Sequence, residues 1–337
     1  MAVLAAAAMA VLAAATLDRV IGEPPARFHP VVWLGKPVGY VDRAFTDSRL
    51  AGVAAAALLP VAFASVAAGV VIGGGLVGAS AGSAAALPDQ FGLVVATVLA
   101  ALVLFVCTSL RMLVDVANDV IALSTDDLDA AREALLALAG RDASSLSAEL
   151  VRSAAVESAA ENLADGQIAP LIGFAVGAIA ASYVGATELA LPTAAATAAW
   201  VKGVNTLDSM LGYRSKPVGW APARLDDVVM WVPARVAALL LSAVALAPGA
   251  LRRARTWARI PNSPNSGWPM ATMAAVLDVR LEKPATYTLN PNGSLPDAEQ
   301  ANRGVKVVDH AGWLAVVLGG LATAAAAGLA SGVSVGV

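Results

Sequence analysis

Cysteine is all but missing. The single Cys107 lies inside an apolar run, so no disulfide framework can form, and the only two histidines, His29 and His310, stand far apart in the chain. A His/Cys metal centre is therefore not expected. Charge is scarce as well: 14% of the 337 residues are Asp, Glu, Lys or Arg, against about 25% in an ordinary soluble domain. Water is not the main solvent of such a chain. The net charge of -3, with no run of Lys or Arg that stands out, argues against a nucleic-acid partner and against a polybasic lipid anchor. Aromatics make up only 5%, whereas hydrophobic residues make up 58%. The apolar content is thus mostly Ala, Val and Leu, interspersed with Gly, and helices of such small residues hold together by close backbone packing.

A bilayer core takes about 20 apolar residues per helix, and candidate runs occupy 2–17, 51–79, 92–113, 168–184, 189–204, 236–250 and 311–330. The first has no basic segment before it, which disfavours a cleaved signal peptide. Residues 18–50 hold Arg19, Arg27, Lys36, Arg43 and Arg49, and 111–167 hold Arg111, Arg132, Arg141 and Arg152, whereas the connections 80–91 and 185–188 hold no Lys or Arg. The positive-inside rule then places the basic segments in the cytoplasm and the N-terminus outside. Because 202–235 and 252–310 are both basic, a simple crossing at 236–250 would break that rule. This run is short and carries Pro248, so it reads as a re-entrant or protein-buried helix.

The expected fold is all-α: a polytopic helical membrane protein forming a single membrane domain over 1–337. A cytoplasmic αα-hairpin is inserted at 114–167, with helix-opening residues at Ser124 to Asp127 and at Ser144 to Ser147, and Gly140 between them. A cytoplasmic loop occupies 252–310, where Pro269 suits the first turn of a short helix and Asn290 to Gly293 a turn. His310 opens the last span. Gly73, Gly74, Gly75, Gly78 and Gly82 imitate a phosphate loop, but no Lys-Ser/Thr follows them, and close helix packing explains them better.

The chemistry is concentrated in the polar segments. Glu157, Glu161 and Asp165 recur at i, i+4 and i+8, on one face of the second hairpin helix, beside Ser158 and Asn162. Like charges so spaced repel by a few tenths of a kcal/mol per pair, which a cation such as Mg²⁺ or a facing Arg would relieve; a solvated acidic face is the plainer reading. Lys202, Asn205 and Asp208 follow at i+3 steps at the end of an apolar run, where a snorkelling Lys with cap residues is the plainer reading. Tyr213 and Arg214 come next. Arg224, Asp226 and Asp227 precede Trp231, Pro233 and Arg235, and Pro233 should kink that helix. A structural Arg224–Asp227 pair is as good an account of these charges as a ligand site. His29, beside Pro30, reads as structural.

These same stretches resemble a known family. The blocks LDRVIGEPPARFHPVVWLGKPVGYVDR from Leu17, VESAAENLADGQIAPL from Val156, KGVNTLDSMLGYRSKPVGWAPARLDDVVMWVPAR from Lys202 and SPNSGWPMATMAAVLDVRLEKPATY from Ser263 are similar, in order, to the CobD/CbiB family, the adenosylcobinamide-phosphate synthases of cobalamin biosynthesis. Ala164 stands where that family commonly has Ser or Thr before the Asp-Gly pair. The resemblance implies a multi-pass enzyme of the cytoplasmic membrane with its active site facing the cytoplasm. It also implies a ligase that uses ATP and Mg²⁺ to join aminopropanol, or its O-phosphate, to a propionate carboxylate of adenosylcobyric acid as an amide. Under that reaction Glu157, Glu161, Asp208 and Asp227 suit catalytic carboxylates, and Glu161, Asp165 and Asp226 suit metal ligands. Lys202, Arg214 and Arg224 suit cations for phosphate charge. Asn162, Asn205, Tyr213, Asn265 and Trp268, with Trp220, suit a large amide-fringed corrin. These roles come from residue type and position, since no family motif assigns them.

Two other readings compete. A transporter would carry ionisable residues near the midplane of several spans, whereas here the acids cluster at the ends of apolar runs. A non-catalytic membrane regulator would bind neither corrinoid nor nucleotide.

Overall fold

The computed structural model describes residues 2–85, 90–140, 142–213 and 216–333, with side chains through residue 326. In chain order the helices are α1 (Ala2–Ile21), α2 (Pro30–Ala44), α3 (Arg49–Ala84), α4 (Phe91–Cys107), α5 (Leu110–Asp126), α6 (Leu128–Leu135) and α7 (Ala148–Leu163). After a π-helical turn, Ala164–Ile168, come α8 (Ala169–Tyr183), α9 (Ala190–Leu211), α10 (Trp220–Val229), α11 (Trp231–Val244), α12 (Gly249–Ala254) and α13 (Gly267–Leu277). Two short strands, β1 (Leu281–Lys283) and β2 (Tyr287–Leu289), precede α14 (Ala298–Val333). Among the described residues five helical runs are long and apolar enough to cross a membrane: Ala2–Ile21, Arg49–Ala84, Phe91–Asp126, Ala148–Tyr183 and Ala298–Ala326. The chain is an all-α, multi-pass protein.

Helix ends follow local chemistry. Pro30 opens α2 behind His29, whose ring accepts the Val31 N–H. Ser48, Asp127 and Ser147 cap α3, α6 and α7 through their side-chain oxygens. A reciprocal box starts α14: Asp297 Oδ1 accepts from Gln300 N at 2.7 Å, and Gln300 Oε1 accepts from Asp297 N at 3.0 Å. The last helix therefore begins well before the expected span, and His310 lies within it rather than at its start.

Other boundaries also differ from expectation. The run expected at 189–204 extends as α9 to Leu211 and is not among the five apolar runs, because Thr193, Thr197, Lys202 and Asn205 dilute it. Residues 217–244 form two helices bent by 48° at Met230, a broken span or a re-entrant pair. Proline explains the break: Pro233 has no N–H to give and its ring crowds the carbonyl one turn back, so the bend falls just before it and Pro233 sits in the first turn of α11. Within 252–310 the short helix is present as α13, but a two-stranded antiparallel ladder follows it, with Leu281 opposite Leu289 and Lys283 opposite Tyr287.

The helices cluster into two compact units, each drawn from separate stretches of chain. The first comprises Met1–Ser109, Ala169–Val229 and Ala315–Val337. Its helices pack through small residues. Gly173 and Gly177, four apart on α8, bring that helix against α9 so closely that a methyl group at Gly177 would stand 2.6 Å from the Thr193 carbonyl oxygen. Thr197 donates across this contact to Gly173 O at 2.7 Å. Gly74, Gly75, Gly78 and Gly82 do the same for α3 against α4, whereas Gly73 meets nothing within 4 Å. Val38, Ala55, Leu207 and Leu211 form a buried cluster where α2 and α3 meet α9.

The second unit comprises Leu110–Ile168 and Met230–Leu314. In it α7 packs on α5, α13 and β1, and the π-helical turn packs on α11. Arg152, almost wholly buried, donates to the Pro296 carbonyl at 3.0 Å and to Ser124 Oγ at 3.2 Å, which ties the residues before α14 to α7 and α5.

Candidate active site

In the first unit the polar residues gather at the end of α9. Apolar packing at Leu207 and Leu211 turns Asp208 toward α10, where it lies half-buried. Burial, and then the charge of Asp227, push its carboxyl up to about 6. No hydrogen bond reaches that carboxyl from the described residues, so none of these offsets the cost of its charge. Gly212 makes the conformation possible: a side chain there would collide with Asp208 Oδ1, and its own N–H closes α9 on the Asp208 carbonyl at 2.7 Å. Asp227 is approached by Arg224 at only 3.9 Å, with the guanidinium largely in solvent. Such a pair contributes little stability. Asp226, next to it, is half-buried.

The loop after α9 is held by Lys216, whose ammonium donates to both Asp42 oxygens at 2.8 and 2.9 Å and lies 5.6 Å from the Tyr213 ring centroid. Tyr213 and Trp220 present exposed rings, with Arg49 over the latter at 5.9 Å. Arg214 lies outside the described residues. Asn205 is half-buried on α9 between Lys202 and Asp208.

Lys202 carries the positive charge of this unit's interior. It acts on two groups that lead into α2: Glu23, half-buried after α1, and His29. For Glu23 burial outweighs the attraction of Lys202, and Asp18 adds to burial, so its carboxyl titrates above the ordinary range. For His29 burial and then Lys202 lower the pKa, which keeps the ring neutral at pH 7. Reading the sequence alone gave no role to Glu23 and a merely structural one to His29.

In the second unit the acidic stripe on α7 does not behave as one face. Glu157 is fully buried, accepting from Ser153 Oγ at 3.0 Å and Tyr287 Oη at 2.8 Å. Ser153 in turn accepts the Glu282 N–H at 2.8 Å, so this network fastens β1 and β2 to α7. Glu161 is half-buried one turn on, and Asp165 sits in the π-helical turn, where i to i+5 bonding displaces it from the α-helical stripe. Asn162 spends its amide on the Ser158 carbonyl at 2.9 Å. Asn265 and Trp268, sought as corrin contacts, meet at Arg235. Its guanidinium lies 4.7 Å from the Trp231 ring centroid and 5.3 Å from that of Trp268, donates to Asn265 Oδ1 at 2.5 Å and reaches the Pro264 carbonyl at 3.1 Å. The Trp231–Arg235 spacing of one helical turn is the only local hint of this clamp. Tyr287 has none, being 130 residues from its partner.

A divalent cation requires oxygen ligands. Among the described residues no three Asp, Glu, His or Cys side chains gather as a metal cage. Mg²⁺ is usually held by only one or two carboxylates, with substrate phosphates and water completing the shell. The Asp208–Asp227 neighbourhood, with Asp226 beside it, fits that shared mode.

Comparison with known proteins follows the same outline. The family model described as CobD/Cbib protein matches residues 11–317. A protein of Methanothrix thermoacetophila named probable cobalamin biosynthesis protein CobD is 31% identical over 316 residues, 90% of this chain and 93% of its own. One of Methanothermobacter thermautotrophicus with the same name is 36% identical over 286 residues, 82% and 85% of the two chains. The cobalamin biosynthesis protein CobD of Mycobacterium tuberculosis is 36% identical over 290 residues, 83% and 82%. No solved structure matches the chain.

Proposed function

The chain belongs to the CobD/CbiB family, and from that membership we propose that it is an adenosylcobinamide-phosphate synthase. In this reading it is a ligase of the cytoplasmic membrane, acting on its cytoplasmic side. It forms the amide between a propionate carboxylate of adenosylcobyric acid and aminopropanol or its O-phosphate. The observation that carries the assignment of chemistry is Asp208: a half-buried carboxyl pushed up to about 6, without a hydrogen bond from the described residues, beside Asp227.

A carboxylate is a poor acyl donor until one of its oxygens becomes a leaving group, and ATP with Mg²⁺ supplies that activation when bound. The rest falls to side chains. Asp208, ionised in most molecules at pH 7, accepts the proton that the attacking ammonium must give up. Asp226 and Asp227 would hold the cation, and Lys202 and Arg224 supply charge for phosphate oxygens. Tyr213 and Trp220 offer flat apolar faces of the kind a corrin covers. In the second unit Glu161 and Asp165 remain candidate ligands, whereas Glu157 serves through the network it holds.

The test is direct. Full-length protein in detergent, given adenosylcobyric acid, aminopropanol phosphate and Mg-ATP, should yield adenosylcobinamide phosphate and ADP, and parallel reactions with free aminopropanol identify the preferred amine. A folded preparation that binds no corrinoid and consumes no ATP rejects the synthetase reading in favour of a transporter or a regulator.

A further inference from the structure

A buried donor without an acceptor stands at the start of α2. His29 is 7% exposed, and its two ring nitrogens are in different situations. Nδ1 accepts the Val31 N–H at 3.3 Å as the cap of α2, so it must keep its lone pair, and the proton of the neutral ring sits on Nε2. That Nε2–H is buried and has no hydrogen-bond partner among the described residues. A donor left in this state costs roughly 1–3 kcal/mol unless something fills it.

The group nearest in kind is Lys202. It is half-buried, and no carboxylate of the described residues comes within salt-bridge distance of it. Glu23, the acid that Lys202 attracts, is half-buried, and burial raises its carboxyl more than the charge of Lys202 lowers it. The two helices are held in place by packing: Leu34, a turn and a half after His29, lies against Gly203, next to Lys202, and Gly35 and Gly39 lie against Met210. The start of α2 and the facing stretch of α9 thus present an ammonium and an imidazole N–H, both donors, with no hydrogen-bond acceptor among the described residues.

We propose that His29 Nε2–H and the Lys202 ammonium together form a receptor for one oxyanion of a substrate, a carboxylate or a phosphate monoester. The receptor shares Lys202 with the phosphate-binding role given above, but its test does not depend on the synthetase reading. The imidazole contributes direction and the ammonium contributes charge, and the Nδ1 contact with Val31 locks the tautomer that the oxyanion needs. Binding would also close the open hydrogen bond of a residue that caps a helix, so occupancy and the start of α2 are linked.

The chain has only two histidines, which makes the test spectroscopic. Full-length protein carrying ¹⁵N-histidine, in detergent, shows two imidazoles, assigned by His29→Gln. Titration with inorganic phosphate and, separately, with propionate should move the His29 Nε2 resonance saturably and leave His310 in place. The oxyanion that saturates at the lower concentration identifies the class. Lys202→Met should raise the apparent dissociation constant at least about tenfold, as expected for one charge-assisted hydrogen bond, with the His310 resonance at its native position and an unchanged unfolding midpoint as proof of folding. A His29 resonance that responds to neither oxyanion, or that responds equally in Lys202→Met, overturns the proposal and leaves water as the partner of Nε2. The result is independent of turnover, so an inactive preparation still decides it.

Discussion

Glu157 and Asp208 make an instructive pair. Both stand on helices rich in alanine and both are withdrawn from solvent, yet the second unit surrounds Glu157 with donors, whereas among the described residues Asp208 has none. Glu157 receives Ser153 and Tyr287, and through Ser153 the backbone of Glu282. Asp208 instead faces the like charge of Asp227 and titrates near 6. An acid whose oxygens are already satisfied is part of the framework. One kept short of donors beside a second acid is arranged for something that arrives later, a cation or a proton.

Five substitutions at four positions put this contrast at risk. The largest effect belongs to Glu157→Ala, which strands Tyr287 and Ser153 in the interior and should cost about 3 kcal/mol, read as a lower unfolding midpoint in detergent; an unchanged midpoint would remove Glu157 from the framework. Next, Asp208→Ala should cut turnover by at least ~10²-fold, the loss expected for one positioned acid–base group, at native stability. Third, Asp227→Asn removes the charge that helps raise Asp208. If ionised Asp208 is the working form, activity rises as pH passes about 6, and the variant should carry that limb to lower pH. The same shift has a sign for stability: the folded state holds a proton longer than the unfolded one between the ordinary value of 3.8 and about 6. Its contribution is therefore greatest in acid and falls as pH rises across that window, and Asp208→Asn should flatten the slope. Least affected should be Asp129→Ala on α6, whose carboxylate is 89% exposed in a surface pair with Arg132. A change beyond about 0.5 kcal/mol there would contradict the surface rule.

Much of this was legible from residues alone. Five of the seven apolar runs overlap helices long and apolar enough to cross a membrane, cap residues located α6 and α7, and the resemblance carried by four polar blocks agrees with the family model across the chain. What escaped was long-range. The spacing of Glu157, Glu161 and Asp165 suggested one stripe, because a helical period cannot reveal that Tyr287 is folded onto the first of them or that the turn at Ala164–Ile168 is wide. The kink expected at Pro233 is there, at Met230, but spacing did not show that Arg235 beyond it meets Trp268 and Asn265. His29 looked structural beside Pro30. Its ring does cap α2, and only the burial of the opposite nitrogen shows that capping uses half of it.

The wide turn at Ala164–Ile168 has one more implication. A turn closed by i to i+5 bonds holds one residue more than an ordinary turn, so the helical run Ala148–Tyr183 carries one residue more than an unbroken α-helix with the same number of turns. In most helices, removing a residue swings everything downstream by about 100°. Here the helix has slack at one place, and a single deletion within Ala164–Ile168 would take it up, turning the wide turn that holds Asp165 into an ordinary one. Length variation at this seam would alter the acid without disturbing the scaffold on either side.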